Sequence, residues 1–286
     1  MMLIAGTIPD ENLPLVHGKV TRSGDYLSVD GHQILRFQGT GAMISTALEV
    51  TEFLGVEEPE IVVAGDIGSG EGSSAIFQFL TRNINDLSPR VMTLHYCLPL
   101  ITPMRKLFEA MGSQNRPFLI GDAGAMYAAK AAGLAAEFDL MTPDLSEIAF
   151  LSDPNAHHPA FVSEYLLSSD ASLIPEQIKS AFNHKNASKM LLVKGKTDYI
   201  AEDGNILAIV NEPDVPTLEA IGGTGDTITG MVSGFIHGGF PTFKAALLAA
   251  KANRLAGQSL QVTPATKVKE IIDQLKHVIK PLLASS

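Results

Sequence analysis

Short apolar runs alternate with longer segments of helical periodicity through the first two thirds of the chain. The apolar runs predict buried strands at residues 60–65, 90–96, 117–122, 138–143 and 190–195. The segments around them predict helices at residues 41–55, 73–84, 102–112 and 123–134. Strands that are apolar on both faces are typical of parallel sheets covered by helices on each side. The pattern therefore predicts an α/β fold of three αβα layers, with a mostly parallel central sheet flanked by helices.

The last third of the chain is predicted to be mainly helical. A hairpin comes first, because Asp203 and Gly204 form a turn signal between the two extended runs of residues 197–210. Apolar residues then recur at helical spacing in residues 228–236, 243–255 and 268–282. The chain has no evident internal repeat and no linker-like change in composition, so we predict one domain over residues 1–286.

Composition limits the classes of function. The chain of 286 residues is 45% hydrophobic and 18% charged, which is typical of a globular protein. Its net charge of −10 disfavours nucleic acid and anionic membranes as partners, although backbone N–H groups at helix ends still bind phosphates. Cys97 is the only cysteine, which excludes an intrachain disulfide and suits a reducing cytosol. With no signal-peptide pattern and no stretch near the ~20 apolar residues of a membrane span, we expect a cytoplasmic protein without a membrane partner.

A glycine-rich stretch with a single carboxylate precedes one of the predicted helices. Gly222, Gly223 and Gly225 come before Asp226, and we expect the helix to begin at Asp226 or Thr227. Glycine permits positive φ, which we expect at Gly225, and N–H groups turned inward at a helix start bind anions. Asp226 then has two interpretations. It caps the helix, or it accepts the proton of a substrate hydroxyl while the N–H groups hold a phosphoryl group.

This stretch resembles the signature of the ribokinase-like superfamily. In that superfamily a Gly-Gly-Thr-Gly-Asp turn before a helix forms an anion hole and supplies the catalytic base. The resemblance implies the anion hole for Gly223, Thr224 and Gly225, and the base for Asp226.

The resemblance extends well beyond the turn. Residues 190–258 resemble, segment by segment, the C-terminal part of ADP/ATP-dependent NAD(P)H-hydrate dehydratases, a branch of the superfamily that repairs hydrated nicotinamide cofactors. Residues 116–132 and 138–151 resemble the middle of the same branch. The coverage is roughly residues 60–280, and it implies a ribokinase-like fold that binds ATP or ADP with Mg²⁺.

The resemblance also implies roles for several further residues. Nucleotide contacts are implied for a strand end and a late helix, at Lys194, Gly195 and Asn253. Substrate contacts are implied for two glycine-rich loops and a strand end, at Gly39, Gly41, Asp66, Gly68 and Asp122. Three alternatives stay open: Lys194 is a surface lysine, Asn253 serves helix packing, and Asp66 is a solvated loop acid.

A metal site is implied near the middle of the chain. In relatives the residue at Glu147 helps to order Mg²⁺-bound water near the phosphates. This chain departs from relatives at Asp144, which either adds a metal ligand or caps the helix that begins there. His157 and His158 are adjacent, so their rings diverge and we expect no metal site from them.

Two enzyme functions fit these expectations. The first is NAD(P)H-hydrate dehydration, in which the nucleotide phosphorylates the hydroxyl of the hydrate and phosphate then leaves. The second is a small-molecule kinase that stops at the phosphate ester of a sugar or another alcohol. A nucleotide-binding regulator without catalysis is disfavoured, because binding alone needs no base at Asp226. We expect a small-molecule substrate and a homo-oligomer.

Overall fold

The computed structural model describes residues 1–112, 116–156 and 171–284. His157 and His158 lie outside the described residues. Within those ranges, no helix combines the length and the apolar character needed to cross a membrane.

The described residues form twelve strands and nine α-helices. The strands are β1 (Met2–Ile8), β2 (Val16–Lys19), β3 (Thr21–Ser23), β4 (Tyr26–Val29), β5 (His32–Leu35), β6 (Glu60–Gly65), β7 (Val91–His95), β8 (Phe118–Asp122), β9 (Leu140–Met141), β10 (Met190–Val193), β11 (Asp198–Glu202) and β12 (Asn205–Val210). The helices are α1 (Gly39–Leu54), α2 (Glu71–Leu87), α3 (Ile101–Met111), α4 (Gly124–Ala132), α5 (Leu145–Ser152), α6 (Ile174–Asn183), α7 (Thr224–His237), α8 (Thr242–Leu260) and α9 (Val268–Ala284).

Nine strands form the main sheet, in the order β12-β11-β10-β9-β8-β7-β1-β6-β2. The strands from β10 to β6 in this order pair in parallel. The edge strands β2, β11 and β12 pair antiparallel to their neighbours. Strands β3, β4 and β5 form a separate antiparallel sheet.

Helices cover both faces of the main sheet. Successive residues of β1 show this, because Met2 and Ile4 belong to one apolar core and Leu3 and Ala5 belong to the other. The first core contains residues of α1, α7, α8 and α9, and the second contains residues of α2 to α6. Side chains of a strand alternate between faces, so a strand buried on both faces is apolar throughout. The predicted three-layer αβα fold with a mostly parallel sheet is confirmed.

The strands that the pattern did not predict all lie in the first sixty residues. Strand β1 lies in the middle of the main sheet, although no strand was expected before residue 60. Its apolar run is interrupted at Gly6, where a Cβ atom would lie 2.4 Å from the backbone oxygen of His95. Close packing between β1 and β7 therefore requires the residue that breaks the apolar pattern.

The strand order creates a crevice at the carboxyl ends of β1 and β7. The chain leaves β1 through α1 towards β6, and it leaves β7 through α3 towards β8 on the opposite side. Helices α1 and α3 also cover opposite faces of the sheet. In open α/β sheets, ligands bind outside the carboxyl ends of the strands where the order reverses in this way.

Candidate active site

Helix α7 begins with a turn at Gly223, directly over the crevice. Gly223 has φ 98° and precedes the first helical residue, Thr224. The helix therefore begins two or three residues earlier than the expected Asp226 or Thr227, and Asp226 is its third residue. The positive φ expected at Gly225 was wrong, because the left-handed residue is Gly223 and Gly225 lies within the first helical turn.

The carboxylate of Asp226 is directed away from its own helix. No side chain caps α7, so Asp226 does not serve as an N-cap. Its Oδ2 accepts a hydrogen bond of 2.8 Å from the backbone N–H of Gly39, and its Oδ1 lies 3.0 Å from Nε2 of His95. Burial alone would raise the pKa of Asp226, but the hydrogen bond and charge of His95, the charge of Lys194 and the Gly39 N–H lower it below its usual value.

His95 is a site residue that the sequence analysis missed. It is the last residue of β7 and is completely buried. Its Nδ1 lies 2.9 Å from Oγ1 of Thr40, and its ring contacts the edge of the Tyr96 ring at 4.2 Å between centroids. The available signal was a polar residue at the carboxyl end of an apolar strand, where ligands bind in parallel sheets.

Asp122 and Lys194 form a second buried pair beside His95. The ammonium of Lys194 donates to Oδ1 of Asp122 at 2.8 Å, and the hydroxyl of Thr229 donates to Oδ2 at 2.6 Å. Nε2 of His95 lies 3.7 Å from the same Oδ2. Burial alone would lower the pKa of Lys194, but Asp122 and Glu147 raise it above its usual value. Lys194 is thus a buried cation, not a surface lysine.

Backbone strain accompanies these buried charges. Tyr96 and Ala123 directly follow β7 and β8, and they have φ of 49° and 51°. Left-handed φ in residues other than glycine costs on the order of 1–3 kcal/mol and tends to cluster at active sites. The two strained residues lie next to His95 and Asp122, so the strain marks the same edge of the sheet.

A cleft of about 520 Å³ opens in front of Asp226. The first helical hydrogen bond of α7 runs from the N–H of Thr227 to the oxygen of Gly223. The N–H groups of Gly225 and Asp226 come before this bond, so no carbonyl within the helix accepts from them. Such N–H groups at the start of a helix suit the binding of an anion in the cleft. A Cβ atom at Gly225 would lie 3.6 Å from Nζ of Lys194, so this ammonium borders the same turn.

Arg254 organises the far wall of the cleft. Its Nε donates to Oδ2 of Asp198 at 2.8 Å, and its Nη2 donates to the backbone oxygens of Gly195 and Lys196 at 3.0 and 2.8 Å. The adjacent Asn253 lines the cleft, while its Oδ1 accepts a hydrogen bond from Thr227. The sequence analysis identified Gly195 and Asn253 as candidate site residues. It missed the ion pair of Arg254 and Asp198, which fixes the loop that contains Gly195.

Comparisons with known proteins agree with this geometry. A carbohydrate-kinase family model described as NAD(P)H-hydrate dehydratase matches residues 87–277, about two thirds of the chain. The chain belongs to this family. An uncharacterised protein of Methanocaldococcus jannaschii is 36% identical over 241 residues, which cover 84% of this chain and 100% of that protein.

Solved structures place members of this family among ribokinase-like proteins. The chain is similar to the ADP/ATP-dependent NAD(P)H-hydrate dehydratase of Bacillus subtilis, co-crystallised with ATP and Mg²⁺, with TM-score 0.56, 15% identity and coverage of 98% of this chain and 90% of that chain. It is also similar to a phosphofructokinase-2 variant of Escherichia coli, with TM-score 0.57, 14% identity and coverage of 96% and 98%. The predicted ribokinase-like fold is confirmed.

Asp144 and Glu147 form a capping box at the start of α5. Oδ1 of Asp144 accepts from the N–H of Glu147, and Oε2 of Glu147 accepts from the N–H of Asp144, both at 2.8 Å. Both residues also line the cleft. Burial and the nearby charges of Asp144 and Asp122 raise the pKa of Glu147 to about 8. Asp144 therefore caps α5, and metal binding by either residue stays a prediction.

The residues implied to contact substrate divide into two groups. The N–H of Gly39 and the carboxylate of Asp122 belong to the network around Asp226. Gly41 serves packing, because a Cβ atom there would lie 2.0 Å from the backbone oxygen of Leu35. Asp66 and Gly68 do not belong to the described lining of the cleft, and the carboxylate of Asp66 accepts from Gly68, Gly70 and Ser73 in its own loop.

The raised pKa of Glu147 predicts how stability depends on pH. The folded-state pKa of about 8 lies above that of an unfolded glutamate, ~4.3. The folded state therefore binds more protons between these values, so this contribution to stability is complete below ~4.3 and is lost as pH rises through about 8. We expect the free energy of unfolding to fall more steeply from about pH 5 to about pH 8 in the wild type than in Glu147→Gln.

Urea unfolding in the presence of EDTA measures this difference. The glutamine variant is a matched control, because its side-chain oxygen can still accept the hydrogen bond from Asp144. Parallel curves of free energy against pH for the two proteins would show that Glu147 ionises as it does in the unfolded chain.

Proposed function

We propose that this protein is an ADP/ATP-dependent NAD(P)H-hydrate dehydratase. The observation that carries the proposal is the carboxylate of Asp226, which is held by His95 and Gly39 beside the N–H groups of the α7 turn instead of capping its own helix. A base and an anion site in one turn suit the transfer of a phosphoryl group to a hydroxyl. Membership of the dehydratase family supports the choice of substrate class.

The residues of the chain divide the chemistry between them. Asp226 accepts the proton of the substrate hydroxyl, and its lowered pKa keeps it ionised and ready to do so. The N–H groups of Gly225 and Asp226 lie where they can hold the negative charge of a phosphoryl group. The ammonium of Lys194 borders the same turn and adds a fixed positive charge. Loss of phosphate from the substrate then restores the reduced nicotinamide.

The cleft suits an adenine nucleotide with Mg²⁺. The α7 turn offers N–H donors at one wall, and Asp144 and Glu147 offer carboxylate oxygens, the ligands that Mg²⁺ prefers, at another. Gly195 and Asn253 also line the cleft. When bound, the nucleotide supplies the transferable phosphoryl group and the cation neutralises its charge.

A small-molecule kinase is the second candidate function. It is retained because the family match covers only part of the crevice. The family model begins at residue 87 and leaves out β1, α1 and the loop at residues 65–70. Gly39 lies in this unmatched part and contacts the base, so part of the surroundings of the base is built outside the family match. Both candidates use Asp226 in the same way, and they differ in the size of the acceptor. The homo-oligomer expected from the sequence also stays a prediction.

Replacing the base should separate chemistry from binding. We expect Asp226→Asn to lower turnover by about 10²–10⁴-fold, the usual cost of losing a general base. Affinity for ATP should survive, because the change removes a negative charge beside the phosphates. Turnover and ATP affinity are to be measured side by side with hydrated NADH and a panel of alcohols as acceptors.

A matched variant controls for the substitution itself. Asp203→Asn makes the same change at the exposed turn between β11 and β12, where asparagine tolerates the positive φ of 51°. We expect this control to match the wild type. Activity of Asp226→Asn within a few-fold of the wild type would remove Asp226 from the proposed chemistry.

Dinucleotide binding should distinguish the dehydratase from the kinase. A dehydratase must hold a dinucleotide and its nucleotide together, and a bound ligand stabilises the fold by about 2.7 kcal/mol at a hundredfold excess over Kd. We expect NADH or NADPH, the products of the proposed reaction, to raise the melting temperature further when ADP and Mg²⁺ are already present. ADP-ribose, which lacks the nicotinamide, is the control and should give a smaller rise. A shift with ATP but with neither dinucleotide would favour the kinase.

A further inference from the structure

His95 contacts the proposed base without reaching the cleft. Its side chain is completely buried, and Tyr96 covers its ring on the side of the cleft. The elements packed around it present Thr7 from β1, Thr40 from α1, Asp122 from β8 and Asp226 from α7. The ammonium of Lys194 lies beyond Asp122 and donates to its Oδ1, whereas His95 faces its Oδ2.

Hydrogen bonds hold both nitrogens of the His95 ring. The hydroxyl of Thr40 donates to the backbone oxygen of Thr7 at 2.7 Å, and its oxygen lies 2.9 Å from Nδ1 of His95. On the other side, Nε2 lies 3.0 Å from a carboxylate oxygen of Asp226, which only accepts when ionised. Nε2 therefore donates to Asp226.

We propose, as a step that rests on the proposed function, that His95 is a positioning residue for the base. Its N–H at Nε2 and the N–H of Gly39 hold the two carboxylate oxygens of Asp226 at two points. The carboxylate is thereby oriented over the crevice, with its remaining lone pairs turned to the substrate. A base fixed in this way needs no rearrangement before it accepts a proton.

The proton balance leaves His95 unchanged during the reaction. The O–H bond of the substrate breaks and its proton passes to the carboxylate of Asp226. The electron pair of that bond forms the new bond from oxygen to phosphorus. The bond from phosphorus to the leaving nucleotide oxygen breaks, and that oxygen keeps its pair. His95 keeps the proton on Nε2 before and after the step.

The same geometry disfavours a metal ion between these groups. Ligand atoms of His95, Asp122 and Asp226 lie within 4.8 Å of one another, as in a metal site. The ammonium of Lys194 and the hydroxyl of Thr229 already bind the two oxygens of Asp122. With Nε2 of His95 donating to Asp226, the ring nitrogen nearest the two carboxylates has no lone pair free for a metal.

The test compares variants of His95 that keep or remove the donor. We expect His95→Phe to lower kcat by about 100-fold through misplacement of the base, with little change in KM for the nucleotide. The acidic limb of kcat/KM should move to higher pH, because Asp226 loses the hydrogen bond that lowers its pKa. His95→Gln, whose amide can donate to Asp226, should recover part of kcat. Should His95→Phe not fold, His95→Asn removes the contact with a shorter side chain.

Thr93→Val is the matched control on the same strand. Thr93 is as buried as His95 and shares a hydrogen bond with Ser233 of α7, but it does not contact Asp226. We expect this variant to lose stability without moving the acidic limb. An unmoved limb and a kcat within a few-fold of the wild type in His95→Phe would overturn the proposal.

A second readout does not depend on turnover. The carboxyl carbon of Asp226, assigned by its absence in Asp226→Asn, can be titrated by NMR in protein labelled at aspartate. We expect it to titrate at higher pH in His95→Phe than in the wild type. Equal titration in the two proteins would overturn the proposal, whereas a shifted titration in a protein that turns over no acceptor would contradict only the proposed function.

Discussion

Four ionisable side chains buried at the carboxyl edge of the sheet contact one another in a row, and the rest of the site depends on this network. Lys194, Asp122, His95 and Asp226 follow one another with separations of 2.8, 3.7 and 3.0 Å. Lys194 directly follows β10, and the other three residues belong to β8, β7 and α7, so four separate parts of the fold meet in one network. A buried charge without a partner is strongly destabilising, since removing one partner of a buried pair costs about 3–5 kcal/mol. Each element must therefore dock where its charge meets the next.

Close packing of the helices brings the base to this network. A Cβ atom at Gly230 would lie 2.4 Å from the backbone oxygen of Met43, so α7 approaches α1 as only glycine allows. That approach lets Asp226, in the first turn of α7, reach the N–H of Gly39 in the first turn of α1. The crevice between β1 and β7 lies below both turns. The reactive end of the molecule is thus set by strand order and by small residues between helices.

The sequence predicted what depends on repeated patterns and missed what depends on single distant contacts. Strands β6 to β10 and helix α7 follow from apolar patterns, which burial imposes over many residues, and the hairpin of β11 and β12 follows from the Asp203-Gly204 turn. Strand β1 was not predicted because Gly6, which the close contact with β7 requires, interrupts its apolar run. His95 escaped because its partners lie 55 and 131 positions away along the chain. The resemblance implied a substrate contact for Asp66, but the carboxylate of Asp66 accepts hydrogen bonds from residues of its own loop.

A double-mutant cycle between His95 and Asp226 tests the central claim most directly. If His95 acts only through the base, its replacement matters only while the base is present. Turnover is to be measured for His95→Phe, Asp226→Asn and the double variant under one set of conditions. The account predicts that the double variant is no slower than Asp226→Asn alone. Losses that multiply, so that the double variant is slower by the full factor of His95→Phe, would contradict it.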